Sequence, residues 1–369
     1  MRPLAFLVLT LLATSIAHAQ VDPLEAFGTE LDSLRQTHRI PGLAAAVVKD
    51  GETIWAEGFG VAEVDEGVPV TPDTPFWAAS VTKTFVGLAF LQMAEDGVAD
   101  LDARMGTVPD FNGLCTDLVA VGHLFGRGLD CDAPITVRDL LQHTAAYDRG
   151  RAFSYNPILF SRLSRYLEWT VNDSTEIEGG FNELGRQIEA RVLAPAGMTR
   201  TSAGMWDRNK MDVVFDMARG YGVEEDGDRW WWVERKQPKR AIPGGAGIVS
   251  TALDLGRNLA ALDNGTLGSP ATMAALLTPP LDRDGVPLPY AAGWYVQEVR
   301  GERVAWHSGW DPEHGTSALL MWLPERRLGF AVLANGEGVW WDNPLRRAAV
   351  EQSDFAQAFF DRFVPDRVE

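Results

Sequence analysis

Apolar positions along the chain recur either at helical spacing or at strand-like spacing, and the changes from one spacing to the other predict its helices and strands. Residues 23–42 carry apolar side chains at helical spacing and end in a Pro-Gly pair, which predicts a first helix. Residues 43–64 form two β-like runs around a Lys-Asp-Gly turn, which predicts a hairpin. Residues 76–97 return to helical spacing and stop at Gly97. Ser80 is therefore expected at a helix start, where its N–H faces the positive end of the helix dipole.

The middle of the chain, residues 100–240, mixes short helical segments with turn-rich loops and lacks long strand runs. Helical patterns are clearest at residues 136–143 and 180–198. Three consecutive tryptophans at 230–232 stand beside a basic stretch. They predict a surface loop or a strand that packs aromatic rings, with a lid or subsite wall as the alternative.

Strand patterns return in the C-terminal third of the chain. A glycine turn followed by a helix occupies residues 242–262. Four strand runs separated by turns follow between residues 290 and 335, and a last helix is expected at about residues 343–362.

The sheet-forming segments thus lie at both ends of the chain. The predicted fold class is α+β, with an antiparallel sheet flanked by helices and an inserted all-helical domain. We expect the sheet part to comprise about residues 20–75 and 241–369, and the helical part about residues 76–240.

Composition is that of a globular protein with a buried core. The 369 residues include 46% hydrophobic and 23% charged side chains. Acidic residues number 51 against 33 lysines and arginines, so the formal net charge is −18. A chain this acidic is not expected to bind nucleic acid.

The first 20 residues have the pattern of a cleavable secretory signal. A basic residue, Arg2, precedes an apolar run at 4–12 and a small-x-small motif that ends at Ala19. The apolar run is too short to span a membrane, so no transmembrane segment is expected after cleavage at Ala19. The alternative, a first core helix, lacks an amphipathic pattern. A secreted or periplasmic location is the expectation.

Cys115 and Cys131 are the two cysteines of the chain and lie 16 positions apart. In an exported protein this pair predicts a disulfide, and two free thiols are the alternative. Two cysteines cannot form a zinc site without further ligands, and His123 between them does not complete metal-like spacing.

Ser80 and Lys83 have the clearest chemical pattern. They lie in the apolar run AASVTKTF, three positions apart and therefore on one face of a helix. A buried lysine there is either a salt-bridge partner or a base, and a serine needs a base to become a nucleophile at neutral pH. The chain lacks the G-x-S-x-G elbow, the phosphate loop, the H-E-x-x-H zinc helix and the G-x-G-x-x-G fingerprint, which weighs against those classes.

The surrounding segments resemble the serine β-lactamase-like superfamily, most closely the class C-type branch with D-alanyl carboxypeptidases, related esterases and aminohydrolases. The resemblance spans roughly residues 25–345 and rests on FWAASVTKTFVGLAFLQMAEDGVADLDARM, ITVRDLLQHTAAYD, VLAPAGMTRT, IPGGAGIVSTALDL and AWHSGW, in that order. It implies a β-lactamase/transpeptidase-like fold and an acyl-enzyme mechanism that uses no metal or organic cofactor. In the S-x-x-K motif, it implies Ser80 as nucleophile and Lys83 as its proton partner.

The family's strand motif, K-T-G or H-x-G, matches His307, Ser308 and Gly309. By resemblance, the backbone N–H groups of Ser80 and Trp310 would form the oxyanion hole. Such aimed donors are worth about 3 kcal/mol each to a transition state. His307 is expected at the site, with a core strand position as the alternative, and Ser308 either lines the cleft or points away from His307.

The family's Y-x-N motif departs from its pattern in this chain. Spacing within the resemblance places the tyrosine on Tyr155 and the asparagine position on Pro157, which has no amide to orient a substrate carbonyl. The alternative register keeps Asn156 as a substrate contact but puts Ser154 where the tyrosine belongs. We expect Tyr155, because a phenolic group near Lys83 is needed to move protons.

The resulting hypothesis is a secreted serine hydrolase that acts on an ester or amide, of the esterase, D-amino-acid peptidase or carboxypeptidase type. Its partner would be a small-molecule or peptide substrate. One alternative is a catalytically silent domain that binds a cell-wall peptide or a protein, and another is a β-lactamase. His143 is expected to be a structural hydrogen bonder. The acyl group, the leaving group and the oligomeric state stay open.

Overall fold

The computed structural model describes residues 22–173, 182–239, 242–343, 345 and 347–365. The expected signal segment and its cleavage point after Ala19 lie outside these residues. Within the described ranges, no helix combines the length and the apolar character needed to cross a membrane.

A seven-stranded antiparallel sheet forms the centre of the molecule and takes strands from both ends of the chain. In spatial order its strands are β3 (Val68–Pro69), β2 (Glu52–Glu63), β1 (Gly42–Lys49), β11 (Leu328–Ala334), β10 (Thr316–Leu323), β9 (Glu302–Asp311) and β8 (Tyr295–Val299). The pairing of β1 with β11 joins the two ends. The predicted α+β fold, hairpin and four later strands are confirmed.

Helices cover both faces of this sheet. They are α1 Pro23–Thr37, α2 Thr82–Glu95, α3 Phe111–Ala120, α4 Val137–Leu141, α5 Pro157–Phe160, α6 Arg162–Asn172, α7 Glu183–Ile188, α8 Met211–Phe215, α9 Ala252–Asp263, α10 Pro270–Leu276 and α11 Asp354–Phe363. The side chain of Asp22 caps α1 by accepting a hydrogen bond from the Leu24 N–H at 2.9 Å. Two residues beyond α2, Gly97 has φ +72°, so the predicted glycine stop is confirmed.

The middle strands are buried on both faces, and alternation of their side chains divides the core in two. On β1, Ala44 and Ala46 pack in a cluster with residues of α2 and α9. Ala45 and Val47 pack in a second cluster with residues of α1 and α11. The sheet is therefore a middle layer between two layers of helices, which explains the nearly continuous apolar runs of its strands.

Two predictions about elements are wrong in detail. The middle segment, expected to be all-helical, contains a hairpin, β5 (Tyr221–Asp226) paired with β6 (Arg229–Glu234). The tryptophan run lies on β6, where Trp230 packs against Trp232, in agreement with the expected strand that packs aromatic rings. Most side chains of the hairpin are exposed, so no buried face imposed a strand pattern on the sequence. The last helix begins at Asp354 rather than near residue 343, because the side chain of Ser353 caps it there.

Candidate active site

Ser80 lies in a short 3-10 turn, Ala79–Val81, immediately before α2. The turn follows the short strand β4 (Phe76–Trp77), which pairs with β7 (Val249–Ser250). Ala79 is buried and has φ +46°, a conformation that few residues with a Cβ adopt. Because such a backbone persists only where its surroundings hold it, the packing of this turn fixes the direction in which the Ser80 side chain leaves the backbone.

Lys83 is fully buried in the first turn of α2, and its Nζ lies 2.9 Å from Ser80 Oγ. The same nitrogen donates a hydrogen bond to the carbonyl of Gly245 at 2.6 Å. Burial lowers the pKa of Lys83 from 10.5 to about 7, since the charged form loses its hydration. Near neutral pH, the uncharged amine can therefore accept the Ser80 proton and still donate to Gly245.

Tyr155 approaches the same oxygen from another direction. Its hydroxyl donates to Ser80 Oγ at 3.1 Å, and its ring lies 5.1 Å from Lys83 Nζ. Burial raises the pKa of Tyr155 well above its ordinary value, so the phenol keeps its proton over the neutral range. It is Tyr155, and not Ser154 of the alternative register, that the structure brings to Ser80.

His143 holds the segment that carries Tyr155. Its Nδ1 accepts a hydrogen bond from the Asn156 N–H at 3.1 Å, and its carbonyl accepts one from the Ser154 N–H at 2.8 Å. The imidazole ring lies 4.5 Å from the Tyr155 ring, centroid to centroid. His143 therefore anchors both neighbours of Tyr155, in agreement with the structural role expected for it.

Asn156, the substrate contact of the alternative register, uses its side chain for structural hydrogen bonds. Its Oδ1 accepts from the Leu159 N–H at 3.0 Å and caps α5, while its Nδ2 donates to the Phe125 carbonyl at 2.8 Å. Pro157 follows as the first residue of α5, and its carbonyl accepts a hydrogen bond from Ser161 Oγ. Asn156 is thus occupied by structural hydrogen bonds, and Pro157 has no amide to offer.

His307 lies at the edge of the site, where it is hydrogen-bonded to Tyr290. Sequence analysis had not identified Tyr290. His307 Nδ1 lies 2.7 Å from the Ser308 carbonyl, which can only accept, so Nδ1 carries the proton and Nε2 accepts from the Tyr290 hydroxyl at 3.0 Å. Burial and the nearby charge of Lys83 lower the pKa of His307 to about 3. His307 is therefore neutral under ordinary conditions.

No local motif distinguishes Tyr290 from a core tyrosine, so the sequence alone gave no indication of its contact with His307.

Gly309 allows β9 to run against the backbone that precedes the nucleophile. A Cβ at Gly309 would lie 2.4 Å from the carbonyl oxygen of Ala78, and no side chain fits at that distance. The approach brings the backbone of Trp310, the next residue along β9, alongside the turn that carries Ser80.

Trp310 and Ser308 flank this glycine on β9. The Trp310 ring stacks on Trp340 with centroids 4.1 Å apart and donates to the Glu337 carboxylate at 3.0 Å. Ser308 is buried and lies on the opposite face of β9 from His307, as strand alternation requires.

Cys115 and Cys131 form a disulfide, with Cα atoms 5.7 Å apart. This confirms the predicted pairing. The closed loop contains the Phe125 carbonyl that binds the Asn156 side chain, so the crosslink lies close to the segment of Tyr155. In the described part of the chain, no group of three or more His, Cys, Asp or Glu residues is arranged to hold a metal ion.

Comparison with known proteins supports the family expected from the motifs. Residues 27–354 match the family model described as Beta-lactamase. "Unguisins hydrolase ungD'" of Aspergillus campestris is 25% identical, over 89% of this chain and 64% of its own length. A D-aminopeptidase of Gluconobacter oxydans is 27% identical, over 80% of this chain and 56% of its own. The chain thus spans less than two thirds of the length of each relative.

The fold is similar to that of solved structures at lower sequence identity. The D-alanine carboxypeptidase AmpC from Burkholderia cenocepacia superimposes with a TM-score of 0.64 at 19% identity, covering 92% of this chain and 98% of that one. This likeness establishes the β-lactamase/transpeptidase-like fold.

Proposed function

The chain belongs to the Beta-lactamase family, a family of serine hydrolases, and we propose that it hydrolyses an ester or small amide through an acyl-enzyme on Ser80. One observation carries this proposal. Ser80 Oγ lies 2.9 Å from the amine of Lys83 and 3.1 Å from the hydroxyl of Tyr155, and the pKa of Lys83 is about 7. A nucleophile within hydrogen-bond reach of a base that is uncharged near neutral pH is the arrangement that covalent catalysis requires.

In the proposed reaction, Ser80 Oγ attacks the substrate carbonyl carbon as its proton passes to Lys83. The backbone N–H groups of Ser80 and Trp310 stabilise the negative oxygen of the tetrahedral intermediate. Tyr155 donates its proton to the leaving alcohol or amine and regains one from the Lys83 ammonium, so the proton taken from Ser80 ends on Tyr155 and both residues recover their starting protonation states. Water then attacks the acyl-enzyme carbonyl as Lys83 accepts its proton, and Lys83 passes this proton to Ser80 Oγ as the acid is released.

The second motif supports esters or small amides over β-lactams as substrates. Asn156 is used as a helix cap and as a donor to Phe125, and Pro157 has no side-chain amide. The amide carbonyl of a peptide or β-lactam would therefore lack the donor that the resemblance leads one to expect at this place, whereas an activated ester depends less on it.

Export from the cytoplasm is part of the same proposal. The disulfide between Cys115 and Cys131 supports it, because such bonds persist in oxidising compartments. Small molecules or peptides outside the cytoplasm would be the substrates.

Labelling with a fluorophosphonate probe tests the proposal at the nucleophile. We expect one probe adduct on the wild-type protein by intact-mass spectrometry, and none on Ser80→Ala. Ser154→Ala is the matched control, since Ser154 is the serine of the alternative register and should leave labelling unchanged. An adduct that survives in Ser80→Ala, or an unlabelled wild type, contradicts the assignment and favours a catalytically silent domain.

A further inference from the structure

A cavity of about 380 Å³ has in its wall Tyr155, the residue whose hydroxyl binds the proposed nucleophile. Other wall residues are Phe125, Arg127, Tyr147, Phe153 and Ser154. Because the Tyr155 hydroxyl is bonded to Ser80 Oγ, this wall residue connects the cavity to the reacting oxygen. The cavity is of the size that small ligands occupy.

The loop that forms one side of this cavity is held by several contacts. The disulfide from Cys115 to Cys131 closes it, and its Phe125 carbonyl accepts the hydrogen bond from Asn156. The Gly128 carbonyl accepts a hydrogen bond from the Tyr147 N–H at 2.5 Å. Gly128 has φ +73°, and a Cβ there would meet the Tyr147 ring at 2.5 Å. The backbone that carries Arg127 is therefore fixed relative to Tyr155.

Arg127 is exposed on this loop, and its guanidinium makes no hydrogen bond or ion pair with the residues that the structure describes. Acidic residues of the neighbouring segment are paired elsewhere. Asp148 binds Arg283, and Asp139 binds Arg149 at 2.9 Å. Arg127 is thus a cation at the cavity wall, and no carboxylate of the described residues, including Asp130 and Asp132 of the same loop, forms an ion pair with it.

The walls around this cation are largely aromatic, from Phe125, Tyr147 and Phe153. Aromatic walls favour an apolar or aromatic body, and a guanidinium favours a carboxylate, which it can bind through two parallel hydrogen bonds. The whole chain carries a net charge of −18, which repels anions at long range. A preference for an anionic substrate must therefore come from a local group such as Arg127.

We propose that Arg127 determines substrate specificity by binding a carboxylate of the substrate, whose apolar part fills the cavity beside Tyr155. This inference rests on the proposed hydrolase function. The carboxylate can belong to the acyl group or to the leaving group, since the cavity borders Tyr155, whose hydroxyl binds the oxygen at which both groups meet. In either case, Arg127 binds the substrate and takes no part in proton transfer.

Two matched pairs of esters distinguish these positions. The acyl pair is the mono-p-nitrophenyl ester of adipic acid and the uncharged p-nitrophenyl hexanoate. The leaving-group pair is 4-carboxyphenyl butyrate and the uncharged 4-carbamoylphenyl butyrate. For each pair, the ratio of kcat/KM for the anionic ester to that for the uncharged ester is measured in wild type and Arg127→Gln, with Ser80→Ala as background.

We expect Arg127→Gln to lower this ratio about tenfold in one of the two pairs, a typical effect of losing a charge-assisted hydrogen bond at a solvent-accessible site. Arg151→Gln is the matched control, because Arg151 is exposed, lies outside the cavity wall and carries the same charge. Its ratios should stay at the wild-type values. A drop in the acyl pair places the carboxylate on the acyl group, and a drop in the other pair places it on the leaving group.

Ratios in Arg127→Gln that equal those of the control in both pairs overturn this inference and leave the hydrolase function intact. Failure of the wild type to hydrolyse any of the four esters faster than Ser80→Ala instead overturns the proposed function, and the inference with it.

Discussion

At Ser80, one hydroxyl oxygen lies between two groups whose pKa values move in opposite directions. Burial lowers the pKa of Lys83 to about 7 and raises that of Tyr155. The same physical cause acts on both, because burial disfavours the charged form, which is the protonated lysine and the deprotonated tyrosine. Near neutral pH the amine is then able to accept a proton and the phenol to donate one. This separation of acid from base follows from burial alone.

The pH dependence of the reaction tests this assignment. We expect kcat/KM on an uncharged ester to rise with pH through about 7 and to be lost as the pH falls, because the Lys83 ammonium cannot accept a proton. A stopped-flow or steady-state profile from pH 5 to 9 measures the midpoint. His307→Gln should keep that midpoint, since His307 is already neutral. A profile without a midpoint below pH 9, or a midpoint that disappears in His307→Gln, contradicts the role of Lys83.

The site residues differ in how far sequence could predict them. The contact between Ser80 and Lys83 is local, because three positions on a helix start bring side chains together. Tyr155 comes to Ser80 from 75 positions away, and motif spacing within a resemblance was needed to choose it over Ser154. Tyr290 binds His307 only because the turn before β8 folds back on β9, and no local pattern encodes that contact.

Among the elements, burial decided which could be predicted. The strands of the central sheet are buried and read as apolar runs, whereas the β5–β6 hairpin is largely exposed and has no such pattern. The start of α11 depends on the cap at Ser353, a single residue within a segment that otherwise suits a helix. Exposed hairpins and single caps contribute little to hydrophobic periodicity, which is why the pairing of β5 with β6 was not predicted and α11 was expected to begin too early.

The disulfide-closed loop is the element on which the proposed specificity depends. We expect Cys115→Ser with Cys131→Ser to lower the free energy of unfolding by up to about 3 kcal/mol, the chain-entropy value for a loop of this length. Because the loop also carries Arg127, hydrolysis of the preferred anionic ester should fall more than that of its uncharged partner. Thermal denaturation and the same ester ratios measure both effects.

Equal losses on both esters of the pair would mean that the loop keeps its position without the crosslink. Wild-type protein treated with a reductant provides the control, because it loses the bond without any change of sequence.

The whole molecule assembles its site where the two halves of the fold meet. Ser80 lies in the turn before α2 and Lys83 in its first turn, Tyr155 precedes α5, and the third motif lies on β9 of the central sheet. Within the sheet, β1 from one end of the chain pairs with β11 from the other. Global stability and the geometry of the site are therefore coupled.

The buried base should lower the stability of the whole molecule. The pKa of Lys83 is about 7 when folded and 10.5 ordinarily, so between these values the unfolded chain binds a proton that the folded chain does not. The stability of the wild type therefore rises with pH across this window, by up to about 1.4 kcal/mol per pH unit. Lys83→Met lacks this slope. We expect its advantage in unfolding free energy over the wild type to be greatest near pH 6.5 and to shrink by pH 9.5.

Denaturant unfolding at these two pH values measures the difference. Lys236→Met, at an exposed position, controls for the loss of one positive charge. The same slope in Lys83→Met and in the wild type would show that position 83 does not titrate between the two pH values.

The burial of Lys83 has a consequence for directed evolution. A library screened only for survival after heating would enrich apolar replacements at this position, since they remove an ionisable group that loses its hydration when the chain folds. The longest-lived clones would then be those without a base beside Ser80. Heat resistance and turnover therefore have to be scored on the same clones, and the helix start at Ser80 is best left out of a library designed for thermal stability.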